Sequence, residues 1–245
     1  GDKIMFGKFQ HGKYENWHNS RWQFTKDQSN YHFDITQQDE GYQYVCNFNG
    51  YWNFELETAY KRCVPVNWAT RNVIYQDKYE KHDQPYSARA EELDLFNAGA
   101  NPKMELFDRA VVDDLDIFCA MGQALGVDYE SVDLKFHSQR TGQMMNLHIS
   151  KMVGRKERGN SFKQTKYDKN PDLIKRYIVM LADWDYGQLM TFGNKTLTHW
   201  KAGDCYTWDW HNIPISTVNT GWTPRPLLQI TGKAIEKIIP DVITL

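Results

Sequence analysis

The chain has 245 residues, 41% of them hydrophobic, with nine tryptophans and a net charge of −2. That length holds one large all-β domain or two small ones, and the apolar content is ample for a core. The near-neutral balance gives no reason to expect a nucleic-acid or membrane partner, and the longest apolar runs are too short to cross a bilayer.

Residues 1–39 are rich in Tyr, Trp, His, Asn and Gln and read as irregular strands and loops wrapped on the main body. Residues 41–59 alternate, with Asn49-Gly50 in the middle, and predict a β-hairpin. Residues 61–101 are mostly polar and broken by Pro65 and Pro85, with a short helix expected near 88–96. Residues 104–125 predict a helix: Phe107, Val111, Leu115, Phe118 and Leu125 recur at helical spacing. Asn101 and Pro102 suit its start and Gly126 its end. Its aspartates, Asp108, Asp113, Asp114 and Asp116, read as a solvated face. This N-terminal part, 1–131, is expected to pack on a core formed by 132–245 within one structural domain.

Residues 132–150 hold two strand-like pieces around Arg140-Thr141-Gly142. A basic stretch follows at 151–172, with seven Lys/Arg against three Asp/Glu, and reads as a long loop, solvated or acting as a lid. Its only aromatics are Phe162 and Tyr167, thin for stacking bases. Residues 176–181 read as a buried strand, and Gly187 and Gly193 mark turns into two more. Gly203-Asp204, Ile213-Pro214 and Gly221 then punctuate three short strands between 205 and 231. Short strands with tight turns and little helical period give a mainly β chain with flanking helices, a jelly roll or double-stranded β-helix. Cys46, Cys63, Cys119 and Cys205 are widely spaced with no C-x-x-C pair, and no signal-peptide pattern is visible, so a reduced, cytoplasmic protein is expected.

Two residues stand out chemically. Arg225 is a lone charge where the last strand begins, and a buried arginine of this kind pairs with a carboxylate, including one on a ligand. His148 lies in an apolar strand inside the expected barrel, a place for a metal ligand or for a hydrogen-bonded core histidine. No P-loop, G-x-G-x-x-G, H-E-x-x-H or G-x-S-x-G is present.

Gly142, the run Asn146-Leu147-His148-Ile149-Ser150, the Gly203-Asp204 turn and Arg225 together resemble the C-terminal core of the Fe(II)/2-oxoglutarate-dependent oxygenases, of the aspartyl/asparaginyl β-hydroxylase type. The resemblance covers roughly residues 132–231. It implies a double-stranded β-helix in which H-x-D/E and a later histidine bind iron and an arginine holds the far carboxylate of 2-oxoglutarate. Residues at i and i+2 on a strand share a face, so H-x-D/E aims two ligands at one metal. On this chain His148 matches the first histidine and Arg225 the cosubstrate arginine. Asn146 matches a donor to 2-oxoglutarate. Ser150 stands at the carboxylate position, and Ile215, ten residues before Arg225, at that of the second histidine. A shifted register would offer His211, with Asp209 beside it, as the replacement, and His199 and His137 are further candidates. Two functions follow as expectations. One is a 2-oxoglutarate/Fe(II) oxygenase acting on a small molecule or a protein side chain. The other is a non-catalytic jelly roll that keeps Arg225 and binds a carboxylate ligand or a protein partner.

Overall fold

The computed structural model describes residues 41–67, 105–129, 131–148, 173–210 and 213–245, with the backbone alone at 67 and 146–148. From residue 133 onward the strands pair in a nested order. They are β4 (Asp133–Gln139), β5 (Met144–His148), β6 (Ile174–Met180), β7 (Gln188–Phe192), β8 (Lys195–Leu197), β9 (Asp204–Thr207), β10 (Ile215–Asn219) and β11 (Arg225–Lys233). Within this run β7 pairs with β8, β6 with β9, β5 with β10 and β4 with β11, all antiparallel. Successive pairs fall in opposite sheets: β5-β10-β7-β8 forms one, while β9-β6-β11-β4 lies at the centre of the other. A long hairpin wound over itself in this way is a double-stranded β-helix.

The larger sheet is extended on both sides, in the order β12-β1-β9-β6-β11-β4-β3-β2. The added strands are β1 (Gln43–Asn49), β2 (Val64–Asn67), β3 (Glu105–Val111) and β12 (Val242–Thr244), with helices α1 (Asn53–Arg62) and α2 (Asp116–Ala124) between them. Among the described residues no helix is long and apolar enough to cross a membrane.

Alternation along the central strands divides the core in two. Leu134, Phe136, Val179, Leu228 and Ile230 turn outward onto Phe118 and Met121 of α2 and Ala59 of α1. Ile178, Met180 and Leu227 turn inward, where Met190, Phe192 and Ile215 of the small sheet meet them with Trp200, Trp208 and Trp210. The strands and turns expected from 132 onward are present, and so is a helix backing the large sheet.

Two N-terminal expectations are corrected. Residues 41–59 are a strand followed by a helix, not a hairpin about Asn49-Gly50. The backbone of β1 finds its antiparallel partner in β9, far along the chain. Trp52 is buried and donates its indole N–H to the Leu181 carbonyl at 3.1 Å, which anchors the start of α1. In α1, Leu56 and Ala59 reach the core and Lys61 pairs with Glu57 one turn back. The segment from 104 to 125 is not one helix. Its first half is strand β3, held between β2 and β4, and only Asp116–Ala124 is helical. Placement between two strands satisfies both edges of its backbone, and Val111-Val112 favours extended geometry. Asp113, Asp114 and Asp116 are exposed, as a solvated face requires, whereas Asp108 is largely covered and takes Arg140 at 2.8 Å. The helix expected near 88–96 and the basic stretch 151–172 lie outside the described residues.

Gly203 ties three strands together. Its N–H donates to the Met180 carbonyl at 2.7 Å and its carbonyl accepts from Phe48 at 2.9 Å. Its φ is +90°, and an added Cβ would lie 2.0 Å from the Phe48 carbonyl oxygen. Gly203→Ala is therefore expected to cost at least about 1–3 kcal/mol, read as a lower urea midpoint.

Candidate functional site

Arg225 opens β11 and sits opposite Gln139 of β4. It shares the inward face with Leu227, two residues on. Only 3% of the residue is exposed. The end of β4 and the turn before β11 are locked by Asn219, whose Nδ2 donates to the Gln139 carbonyl at 2.7 Å and the Thr223 carbonyl at 2.8 Å. Asn219 Oδ1 in turn accepts from the Gly221 N–H at 2.9 Å. The point at which the arginine enters the barrel is thus fixed by buried hydrogen bonds.

The side chain itself is under-satisfied. Nη2 donates to Gln139 Oε1. Gln139 is held in turn through Nε2 to the Leu106 carbonyl at 2.8 Å. Arg225 Nε and Nη1 are buried and have no hydrogen-bond partner among the described residues. One N–H on Nε and two on Nη1 are left without an acceptor. Burial pushes the guanidinium pKa down, to about 9, and among the described residues no carboxylate holds it up. At neutral pH the group is a buried cation with one neutral partner among the described residues, a costly arrangement unless an anion joins it.

The residues predicted around the metal divide as follows. Ile215 is buried in the inner apolar cluster and lies directly opposite position 148 in the β10–β5 ladder. The position that the resemblance gives to the second histidine therefore carries an alkyl group beside Phe192 and Leu227. Asn146 and His148 lie on β5. Between Thr217↔Met145 and Ile215↔His148 the register shifts. That bulge breaks the simple two-residue alternation expected to put 146 and 148 on one face. Ser150 and His211 lie outside the described residues. Asp209 is exposed. His199 is exposed as well, in a left-handed conformation with its ring stacked on Trp184 at 4.1 Å, and does not turn into the barrel. His137 lies on the inward face of β4, opposite Leu227 and packed against Phe107.

Gln139 and Asn219, which position Arg225, are not singled out by sequence patterns. The signal was present in Asp133–Gln139, where polar residues alternate with Leu134 and Phe136. Such a strand reads as having a solvent face, whereas here Asp133 and Gln139 are only 3% and 2% exposed. The polar face lines the barrel because the helices cover the other one. Arg176, on the same inner face of β6, is also buried. It donates to Thr231 Oγ1 at 3.1 Å and lies over the Trp210 ring at 4.7 Å. Thr231 is six residues along β11 from Arg225, about 20 Å in an extended strand, so the two guanidiniums occupy opposite ends of the interior.

For the groups implied by the resemblance, the fit is divided. Arg225 suits a carboxylate. Ile215 cannot be a metal ligand, so the described residues do not supply the second histidine of an iron site.

No family model and no curated protein matches the sequence. Solved structures similar to it include a predicted oxalate decarboxylase from Thermotoga maritima, 16% identical, covering 52% of this chain and 80% of that one, at a TM-score of 0.30. Another is the Cupin_2 domain of an XRE family transcriptional regulator from Enterobacter cloacae, 8% identical, covering 53% of this chain and 99% of that one, at 0.30. A cupin domain from Bordetella pertussis is 13% identical, covering 45% and 88%, at 0.28. Likeness at this level says nothing about activity. The double-stranded β-helix rests on the strand pairing itself.

Proposed function

We propose that the barrel interior binds a small carboxylate ligand through Arg225, without metal-dependent catalysis at the position of Ile215. One observation carries this reading: among the described residues a buried guanidinium keeps Nε and Nη1 without acceptors while its third nitrogen is fixed by Gln139. A carboxylate at these nitrogens makes charge-assisted hydrogen bonds and removes the penalty of the lone buried cation. The apolar residues Leu227, Ile215 and Phe192 would line the rest of the cavity and favour a ligand with a short carbon skeleton.

The Fe(II)/2-oxoglutarate oxygenase is the second reading. It gives Arg225 the same role and requires a replacement ligand such as His211 with His148. The oxygenase chemistry would belong to the cofactors.

Calorimetric titration with 2-oxoglutarate, succinate and oxalate tests the proposal. At least one is expected to bind, and Arg225→Ala is expected to weaken it by about 10–100-fold, the worth of a hydrogen bond to a charged group. No heat with any of the three, or binding untouched by the substitution, would overturn it. Repeating the titration anaerobically with Fe(II) separates the readings. A visible charge-transfer band that requires both Fe(II) and 2-oxoglutarate would favour the oxygenase.

A further inference from the structure

Cys46 and Cys205 occupy directly opposed positions on neighbouring antiparallel strands, β1 and β9. Both are fully buried, at 0% exposure, in the outer core beside Phe48, Val179 and Trp52. Opposed residues in an antiparallel pair have Cα atoms about 4.5–5.5 Å apart, inside the range a disulfide spans. Their Cβ atoms, at about 4.5–5.5 Å, need only a small closure. The register shift between Tyr44 and Cys46 supplies local freedom, since a bulged strand is not held by a continuous ladder. From the sequence the four cysteines had no partners in view, and nothing in the barrel interior uses these two thiols.

We propose that Cys46 and Cys205 are a modification site, forming an intramolecular cross-strand disulfide when the protein meets a small peroxide oxidant. The order of events follows from the environment. The neighbouring Cys205 side chain lowers the Cys46 pKa, while burial raises that of Cys205. Cys46 is thus the more readily formed thiolate and the first nucleophile. Its sulfur attacks one oxygen of hydrogen peroxide, the O–O bond breaks, and a sulfenic acid and water result once the leaving hydroxide takes a proton. Cys205 sulfur then attacks the sulfenic sulfur, gives up its proton and expels a second water. Two thiols and one hydrogen peroxide become one disulfide and two waters. The oxidised bond would staple β1, with the Trp52 anchor behind it, onto the central sheet.

The test uses the full chain with Cys63→Ser and Cys119→Ser, so that only the two core thiols remain. After hydrogen peroxide treatment of the folded protein, thiol titration in guanidinium is expected to fall from two to none. The product should run as a monomer on a non-reducing gel, and peptide mapping should show the Cys46–Cys205 link. The melting temperature is expected to rise by about 5–15 °C and to return with dithiothreitol. With Cys205→Ser added, Cys46 should accumulate as a dimedone-reactive sulfenic acid. Cys205→Ala provides the same readout if serine is not tolerated in the core. Retention of both thiols at peroxide levels that oxidise free glutathione would overturn the proposal. So would conversion of Cys46 to sulfinic acid with Cys205 left reduced.

Discussion

Arg225→Met is expected to make the ligand-free protein more stable, by about 1–4 kcal/mol, while weakening the proposed carboxylate binding. The guanidinium is buried with a single neutral partner, Gln139, and two of its nitrogens lack acceptors among the described residues. Methionine keeps an unbranched stem of similar length and carries no charge into the core. Gln139 loses one hydrogen bond but keeps its bond to Leu106, which limits the penalty. The pH dependence has a definite sign. Burial depresses the folded pKa to about 9, below its ordinary value, so between these pH values the unfolded chain binds more protons. Stability of the native protein then rises with pH relative to the variant. The advantage of methionine should be full below about pH 9 and should shrink above it. Paired urea titrations of the two proteins at several pH values check both points. A residue that costs stability and is replaced profitably only at the expense of binding is the signature of a site selected for its ligand.

Phe136→Ala is expected to cost about 3–5 kcal/mol, measured as the shift in urea midpoint. Phe136 is fully buried on β4, between Leu228 of β11 and Ala110 of β3, with its ring against Tyr60 at 5.0 Å. It joins α1 to the middle of the large sheet. Trp222→Ala, by contrast, removes a larger ring that is 92% exposed, and should change stability by no more than about 0.5 kcal/mol. A core that collapsed around alanine at 136 would instead show a small shift with an altered m value.

The C-terminal barrel was legible because its turns are chemically explicit. Gly142, Gly187, Gly193 and Gly203 all have positive φ, and each falls in a turn between strands. The N-terminal elements were less legible because their patterns fit two periods at once. In 52–60 the residues Trp52, Leu56 and Ala59 satisfy helical spacing, while the same run also alternates. In 105–125 the helical spacing of Leu115, Phe118 and Leu125 is real, but Phe107 and Val111 fall on its extrapolation by coincidence. What settles such cases is the partner strand, and β1 finds its own in β9, which no local window contains. At the site, Arg225 was visible because a single charge enters an apolar strand. Gln139 and Asn219 were not, since nothing local distinguishes a polar residue buried among hydrogen-bond partners from one facing water.

The nested pairing also fixes when the proposed carboxylate site could exist. Its outermost pair, β4 with β11, joins residues near 135 to residues near 229. A nascent chain stopped before residue 225 lacks the strand that lies between β4 and β6. It therefore has no continuous large sheet and no Arg225 guanidinium. Pairing β4 with β11 joins distant parts of the chain, the kind of non-local contact that slows folding. On the proposed function, a carboxylate that binds only the finished barrel would lower the unfolding rate and leave the folding rate unchanged.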